Sequence, residues 1–308
     1  AGSTTAPAHT LYDIVRKLPD GAQIELDSGS DGQMALRAGR SEFTLQTLPT
    51  EDFPQTDGGN LPHQFALPAN DLRGLIDRTR FAISTEETRY YLNGIFMHTT
   101  AGDSGDVMRS VATDGHRLAR VEMPVPNGAA GMPGVIVPRK TVGELRKLID
   151  EIGDDIEIAL SDTSARFAFD NAVLTSKLID GTFPDYERVI PTGNDKSLNV
   201  DCRSFADAVD RVATISTEKS RAVKLLAAGN NLVLTASSPD SGTAREEIEV
   251  DYDADAIEIG FNARYLLDIA QQIEGSEAEF VVADAASPTI VRDSEDDSAL
   301  YVLMPMRV

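Results

Sequence analysis

The sequence VPRKTVGELRKLI at residues 137–149 decides the fold, because two related stretches occur elsewhere in the chain. They are APAHTLYDIVRKL at residues 6–18 and FNARYLLDIAQQI at residues 261–273. In each stretch an apolar residue precedes Pro or Asn, and apolar side chains then recur at spacings of three and four. That spacing is typical of an amphipathic helix with one buried stripe. An acid stands at the same step of each copy, at Asp13, Glu144 and Asp268.

A second kind of repeat lies between the copies of the first. Residues 77–89 and 210–221 share an Asp-Arg pair, an Ile-Ser-Thr-Glu sequence and a following Arg. Alternating apolar and polar residues follow the repeats and predict half-buried strands of antiparallel sheet. These strands are expected at residues 43–45, 166–169 and 231–235.

The two kinds of unit alternate along the chain, so that one unit of each kind makes a domain. Five units then give two complete domains and one half. We therefore predict domains at residues 1–58, 59–191 and 192–308, with the first domain lacking its N-terminal half. This order also predicts that the sequence is a fragment of a longer protein.

Composition limits the classes of protein to which the chain can belong. It has 308 residues, of which 41% are hydrophobic, and no apolar run is long enough to cross a bilayer. We expect a soluble protein with two or three domains. Cys202 is the single cysteine, which excludes internal disulfides and is compatible with a reducing compartment. A buried structural thiol is the expected role of this residue.

The formal net charge of −22 argues against a nucleic-acid partner, because phosphate binding depends on Lys and Arg. The predicted helices nevertheless carry a net positive charge, while the remainder of the chain is strongly acidic. Arg139 and Arg146 lie seven residues apart on one helical face, as do Lys140 and Lys147. These cations either form an ordinary solvated face or line a surface that meets an anionic polymer.

Five motifs together resemble the bacterial DNA polymerase III β subunit, the sliding clamp. They are RYYLNG at residues 89–94, VATDGHRLA at 111–119, VIVPRK at 135–140, TSKLIDGTFPDY at 175–186 and YVLMPMRV at 301–308. The motifs stand in the family's order and extend over nearly the whole chain. The repeat analysis agrees with this resemblance, since the family's subunit consists of three similar domains.

The resemblance implies an α+β DNA-clamp fold, with repeated domains that each have two helices packed on antiparallel sheets. It implies a homodimeric ring in the full-length form that encircles double-stranded DNA without sequence preference. The expected function is processivity in DNA replication, with no catalysis, no cofactor, no metal and no membrane, in the cytoplasm. The implied protein partners are the DNA polymerase III catalytic subunit, the clamp loader and other proteins with Gln-x-x-Leu-Phe-type motifs.

The family also has a peptide-binding cleft between its middle and last domains. The matching positions in the middle domain are Arg89, Leu92, Thr113, Gly115, His116, Arg117, Leu118, Pro184, Arg188 and Val189. In the last domain they are Asn262, Tyr265, Val302, Leu303, Met304, Pro305, Met306 and Arg307.

The C-terminal tail supports this assignment independently, because an apolar segment with two Met residues is costly to leave in water. The alternative is that Val302, Leu303 and Met304 only complete a terminal strand. Ser220 and Pro288 depart from the family's pattern at the expected rim of the cleft.

The candidates for DNA contact are cations at helix positions and two tyrosines that could stack on bases. These residues are Arg73, Arg80, Tyr90, Tyr91, Arg139 and Lys140.

Two other functions compete with the clamp. The net charge favours a protein-binding scaffold that does not act on DNA. Asp114 and His116 could instead serve a hydrolase, although Asp-Gly marks a turn and no nucleophile motif accompanies it. The four His residues, at positions 9, 63, 98 and 116, also lack metal-ligand spacing.

Overall fold

The computed structural model of this chain describes residues 2–29, 32–53, 59–150, 155–170, 172–216 and 221–307. These residues belong to two units, residues 1–57 and residues 58–308.

The described residues contain five α-helices. They are α1 (Ala8–Val15), α2 (Ala69–Arg80), α3 (Arg139–Ile149), α4 (Cys202–Ala213) and α5 (Ala263–Ala270). Three of them start after a proline, which supplies a fixed φ at the helix entrance. In α4 the Asp201 carboxylate caps the helix by accepting a 2.7 Å hydrogen bond from the Ser204 N–H. The three helices predicted from the first repeat, α1, α3 and α5, are all present. Helices α3 and α5 have the predicted buried stripe, whereas α1 has no buried residue.

The first unit has one sheet, in the order β1-β2-β3. Its strands are β1 (Glu25–Ser28), β2 (Gln33–Ala38) and β3 (Ser41–Gln46). Met34, Leu36 and Leu45 are its buried side chains of large size. They lie at alternate positions of their strands, as the period of two requires.

The second unit contains sixteen strands among its described residues. Those before α4 are β4 (His63–Pro68), β5 (Gly94–Gly102), β6 (Gly105–Thr113), β7 (Arg117–Pro124), β8 (Val135–Pro138), β9 (Asp155–Leu160), β10 (Ser164–Ala168), β11 (Val173–Lys177) and β12 (Lys196–Asp201). Those after it are β13 (Ala222–Ala228), β14 (Asn231–Ser238), β15 (Gly242–Glu249), β16 (Ile257–Asn262), β17 (Glu277–Val282), β18 (Thr289–Asp293) and β19 (Ala299–Leu303).

These strands form three antiparallel sheets. The orders are β11-β10-β9-β4, β15-β14-β13-β16 and β12-β17-β18-β19-β7-β6-β5-β8. In the eight-stranded sheet, β19 near the C-terminus pairs with β7, so that Val302 lies opposite Leu118 and Leu303 opposite Arg117. A continuous sheet therefore joins the middle part of the chain to its last part.

The helices cover the sheets in pairs. Helix α2 packs beside α3, and α4 packs beside α5. Phe205, Val209 and Val212 of α4 are buried, as are Leu72 and Leu75 of α2. This arrangement confirms the predicted fold class of repeated domains with two helices on antiparallel sheets.

A smaller group of buried side chains, which we call the junction core, lies apart from the main core. Its members come from the 3-10 turn at Glu87–Leu92, from β6, β7, β8 and β19, and from the segment that follows β11. They are Leu92, Val111, Leu118, Ile136, Phe183, Tyr186 and Val302. The junction core thus links strand β19 to elements that lie between residues 87 and 186 of the chain.

No helix in the described part of the chain is both long and apolar enough to span a membrane. Cys202 is a free, buried thiol whose Sγ donates to the Ala270 carbonyl at 3.3 Å. Burial raises the pKa of this thiol, which agrees with the predicted structural role.

Candidate functional site

The turn between β6 and β7 is held by its own side chains. The Asp114 carboxylate accepts hydrogen bonds from the N–H groups of His116 and Arg117, at 2.9 and 3.0 Å. Thr113 Oγ1 donates to the Arg117 carbonyl at 2.8 Å. Gly115 has φ +88°, a value that L side chains rarely adopt. A side chain there would also place its Cβ 2.8 Å from Nη1 of Arg89. The turn therefore fixes the positions of His116 and Arg117.

Arg117 is a buried cation that joins several elements, with 7% of its side chain exposed. Its guanidinium donates to Asp114 at 3.1 Å, to the Phe81 carbonyl at 2.6 Å, and to Asp268 of α5. It also lies over the Tyr265 ring, 4.3 Å from the centroid, a distance typical of a cation–π contact. Arg117 thus joins α5 to β7 and to the backbone at Phe81.

Tyr265, which is partly buried, and His116, which is exposed, lie together on one side of this region. Their rings stack with centroids 6.3 Å apart. Burial raises the pKa of the Tyr265 phenol, and the nearby Asp114 carboxylate adds to that shift. Asn262 caps α5, since its side chain accepts from the Arg264 N–H at 3.0 Å. An aromatic surface with polar edges results, and such surfaces suit protein contacts.

The C-terminal tail leaves β19 and runs beside this aromatic surface. The Met304 N–H donates to the His116 carbonyl at 2.9 Å, and the Met306 N–H donates to the Gly260 carbonyl at 2.8 Å. The Met304 side chain is 40% exposed. Pro305 and Met306 are partly buried, and Arg307 is exposed. Val302 and Leu303 do complete a terminal strand, whereas Met304 presents apolar surface to solvent.

Four of the predicted cleft positions have side chains with almost no solvent exposure. Leu92 is 4% exposed, Leu118 and Val302 are 2% exposed, and Leu303 is 1% exposed. Their hydrophobic side chains pack in the cores. They therefore lie beneath the exposed residues around Met304 and cannot contact a partner directly. Motif matching alone grouped these buried residues with the exposed ones.

The remaining cleft positions of the middle domain lie around the same junction core. Arg188 and Val189 belong to the 3-10 turn Tyr186–Val189, and Pro184 precedes it. All three are exposed. Arg188 pairs with Asp185 at 2.7 Å, and Arg89 pairs with Glu86 at 3.2 Å. These exposed residues lie on the segments that contribute Tyr186 and Leu92 to the junction core.

Of the two residues predicted at the rim of the cleft, Ser220 and Pro288, the structure describes only Pro288. Ser220 lies outside the described residues. Pro288 precedes β18, and its carbonyl accepts a 3.0 Å hydrogen bond from the Asn194 side chain. The same Asn194 amide also donates to the Val281 carbonyl of β17 at 2.7 Å, so it ties Pro288 to that strand.

The candidate DNA contacts lie on α2, on the start of α3 and on the turn at Glu87–Leu92. Arg139 and Lys140 are exposed at the first positions of α3. The Arg139 N–H donates to the Asn93 carbonyl, which places the turn with Tyr90 and Tyr91 next to α3. The two tyrosine rings meet edge to face, with centroids 5.7 Å apart.

Other cations of the helices are already engaged. Arg80 pairs with Asp77 at 3.1 Å, and Arg73 donates to Asn70 at 2.7 Å. Arg146, which the seven-residue spacing placed beside Arg139, instead pairs with Asp77 of α2 and with Asp150. It joins the two helices, so the free positive charge of α3 is smaller than its sequence suggests.

A catalytic role for Asp114 and His116 has no support in this geometry. Both oxygens of the Asp114 carboxylate are used by the turn and by Arg117. The His116 ring stacks on Tyr265. Across the described ranges, no group of three or more His, Cys, Asp or Glu could hold a metal ion.

Three residues of this region were missed by the sequence reasoning. Phe81 contributes its carbonyl to Arg117, and Asp268 contributes its carboxylate. Asp268 carried a signal, since it is the acid that recurs in the repeated helices. Arg78 of α2 also pairs at 2.7 Å with Asp296, which lies between β18 and β19. The spacing of charged residues around Arg78 in the sequence did not indicate this pair.

Three family models match consecutive parts of the chain. The model of the DNA polymerase III beta subunit N-terminal domain matches residues 1–57. The central-domain model matches residues 66–185, and the C-terminal-domain model matches residues 187–307. Because the N-terminal model begins at residue 1, these matches give no support to the prediction that half of the first domain is missing.

Similar proteins share the whole length of this chain. The beta sliding clamp of Caulobacter vibrioides is 56% identical over 308 residues, which are 100% of this chain and 83% of that protein. The beta sliding clamp of Escherichia coli K12 is 39% identical, over 100% of this chain and 82% of the relative. A crystal structure of a sliding clamp from Bartonella birtlesii bound to griselimycin superimposes with a TM-score of 0.93. It is 53% identical and is matched over 100% of this chain and 82% of that one.

Proposed function

This chain belongs to the DNA polymerase III beta-subunit family, the sliding clamps, and from that premise we propose how its surfaces meet DNA and protein partners. It is a non-catalytic subunit that gives a replicative polymerase its processivity. The observation that carries this conclusion is the match of the three domain models, in order, along residues 1–307. Identity of 56% to a named sliding clamp over the whole chain agrees with it.

We propose that the exposed surface around Met304 is a docking cleft for Gln-x-x-Leu-Phe-type motifs of the polymerase catalytic subunit, the clamp loader and other partners. Three features support this proposal. Met304 offers flexible apolar surface, Tyr265 and His116 offer stacked rings, and Pro184 and Val189 offer apolar surface beside the junction core. A Leu-Phe pair would bury its side chains against such a surface, while backbone and edge groups orient the peptide.

We further propose that two copies of the full-length protein form a head-to-tail ring around double-stranded DNA. Exposed Arg139 and Lys140 at the start of α3 support the orientation of this helix toward DNA. Sequence-independent sliding requires several weak phosphate contacts, and the partial engagement of Arg73 and Arg80 by neighbouring side chains fits that requirement. The proposed place of action is the cytoplasm, where bacterial chromosomes are replicated.

The proposed domain division remains at residues 1–58, 59–191 and 192–308. The family matches that end at residues 57 and 185, and begin again at 66 and 187, support these limits. The second unit holds the last two domains together through the β7–β19 pairing and the Arg117 contacts.

The cleft is tested with a fluorescently labelled Gln-x-x-Leu-Phe peptide and anisotropy titration. We expect saturable binding by the chain and at least tenfold weaker binding by the Met304→Ala/Met306→Ala variant, since it loses the apolar thioether surface that a bound peptide would cover. Met123→Ala is the matched control, because this partly buried Met lies at the opposite end of β7. Equal affinity of all three proteins would overturn the assignment of the cleft.

The net charge of −22 favours a protein-binding scaffold that does not act on DNA, but the similarity to sliding clamps supports the clamp and not this alternative. The two are separated with the full-length protein and duplex DNA over a series of salt concentrations. A clamp that uses Arg139 and Lys140 loses affinity with salt, and Arg139→Glu/Lys140→Glu reduces the salt slope. Failure to bind DNA at every salt concentration would favour the scaffold.

A further inference from the structure

We infer that Arg109, Tyr186 and His98 form a polar network that positions one wall of the peptide cleft without touching the peptide. The wall is the segment of residues 183–190, which contains the exposed Pro184, Arg188 and Val189. The inference rests on the proposed docking function, and it concerns residues outside the cleft positions that the sequence motifs indicate.

Arg109 is the centre of this network. It lies on β6, and 9% of its side chain is exposed. Its Nε donates to the Glu122 carboxylate of β7 at 2.8 Å. Its Nη1 donates to the Tyr186 hydroxyl at 3.2 Å and to the Glu187 carboxylate at 2.6 Å. Arg109 thus ties two consecutive residues of the segment to the sheet.

Tyr186 connects this cation to His98 of β5. The Tyr186 hydroxyl lies 3.0 Å from Nε2 of His98. Because the hydroxyl oxygen accepts from Arg109, its own hydrogen is available to Nε2, which accepts it when the imidazole is neutral. Burial lowers the pKa of His98, and the nearby Arg109 charge lowers it further. The neutral ring is therefore the form that completes the network at neutral pH.

Aromatic packing holds the start of the segment at the same place. The Phe96 ring of β5 stacks on Phe183, with centroids 4.8 Å apart and planes 7° apart. The same ring stacks on His98 with centroids 4.7 Å apart. Phe183 and Tyr186 are thus held by two residues of β5 that are two positions apart, Phe96 through ring stacking and His98 through the Tyr186 hydroxyl.

The network acts on the cleft through the junction core. Tyr186 and Phe183 are in that core together with Leu118 and Val302. Leu118 follows Arg117 on β7, and Val302 precedes the tail with Met304. Residues 183–190 belong to no strand in the described part of the chain, so these side-chain contacts determine where Pro184 and Val189 would lie relative to a bound peptide.

The discriminating variant is Tyr186→Phe, which removes one hydroxyl and leaves the ring in the junction core. Thr141→Val is the matched control, since it also removes a largely buried hydroxyl of the same domain. The lost bond there is the 2.6 Å contact between Thr141 of α3 and Ser176 of β11, neither of which belongs to the segment of residues 183–190. Both variants are measured in the chain as it stands, by thermal unfolding, by anisotropy with the Gln-x-x-Leu-Phe peptide and by hydrogen–deuterium exchange.

We expect Tyr186→Phe to weaken peptide binding by about threefold to tenfold, because it removes a hydrogen bond that preorganises the segment of residues 183–190. Thr141→Val should lower the unfolding temperature about as much as Tyr186→Phe does, and it should leave peptide affinity unchanged. The amide of Ile190, which donates to the Glu187 carbonyl, should exchange faster in Tyr186→Phe alone.

Three results would overturn the inference. Affinity of Tyr186→Phe within twofold of the parent would show that the network does not govern the cleft, whatever the exchange data give. Unchanged exchange at Ile190 would show that the hydroxyl does not anchor the segment. Equal loss of affinity in Thr141→Val would assign the effect to general destabilisation. A parent chain that binds no peptide would instead refute the docking proposal, while faster exchange in Tyr186→Phe would still establish the anchoring.

Discussion

Replacing Arg117 by Met should destabilise the second unit more than any exposed charge substitution. The change removes hydrogen bonds to Asp114, Asp268 and the Phe81 carbonyl, and it removes the contact with the Tyr265 ring. The Asp114 and Asp268 side chains, which are 18% and 24% exposed, then lose their buried cation.

The magnitude follows from the fate of those carboxylates. Removing one partner of a buried ion pair costs about 3–5 kcal/mol, because the other charge stays behind unpaired. Both carboxylates retain some contact with water, and Met recovers part of the apolar packing, so we expect about 3 kcal/mol. For a unit of this size that loss corresponds to a fall of roughly 6–12 °C in the midpoint of thermal unfolding.

The assay is thermal unfolding followed by circular dichroism, with Arg264→Met as the control. Arg264 is 64% exposed and lies 3.9 Å from the same Asp268. Such a surface pair contributes less than about 1 kcal/mol. Adding Asp268→Leu to Arg117→Met should restore part of the loss, because it removes one of the unpaired carboxylates. A midpoint for Arg117→Met that equals that of Arg264→Met would refute the reasoning.

Three further predictions concern single sites. The free energy of unfolding should decrease as the pH falls from above 6.5 through the lowered pKa of His98, since the unfolded chain then binds the extra proton. His98→Gln should flatten this part of the pH profile measured by urea denaturation. Asp201→Ala should cost about 1 kcal/mol by removing the cap of α4. Its hydrogen bonds to Ser204 lower the pKa of Asp201, so this loss should vanish in acid below that pKa. Gly94→Ala should cost about 1–3 kcal/mol, because its Cβ would overlap the Val137 carbonyl, and thermal unfolding would measure it.

The elements that the sequence predicted well are those whose pattern is local. In helices α3 and α5 the buried apolar residues recur at spacings of three and four. The N-cap residues Pro138 and Asn262 mark where these helices begin. Strand β14 alternates buried and partly exposed side chains, as residues 231–235 indicated. The apolar period depends only on which face of one helix or strand is buried. It can therefore be read without knowing how the elements pack together.

The parts that could not be predicted depend on contacts between distant residues. Arg146 has the spacing of a solvent-facing cation, yet Asp77 of the neighbouring helix engages it. Arg117 matches a cleft motif, yet its partners are Phe81 and Asp268, which lie 36 and 151 residues away. Tyr90 and Tyr91 belong to a 3-10 turn that is held beside α3 by the bond from the Arg139 N–H to the Asn93 carbonyl and by the pairing of β5 with β8. No spacing rule in the sequence contains those pairings.

The predicted cleft residues divide into two physical classes, and this division determines what mutagenesis can reveal. Leu118 and Val302 are buried, so their truncation creates a cavity and should lower stability and peptide affinity together. Val189 and Met304 are 49% and 40% exposed. Their truncation removes apolar surface that only a bound peptide would cover, so it should lower affinity and leave the unfolding temperature nearly unchanged. Plotting the two effects against each other, position by position, would therefore separate the surface that a partner touches from the core that holds this surface in place.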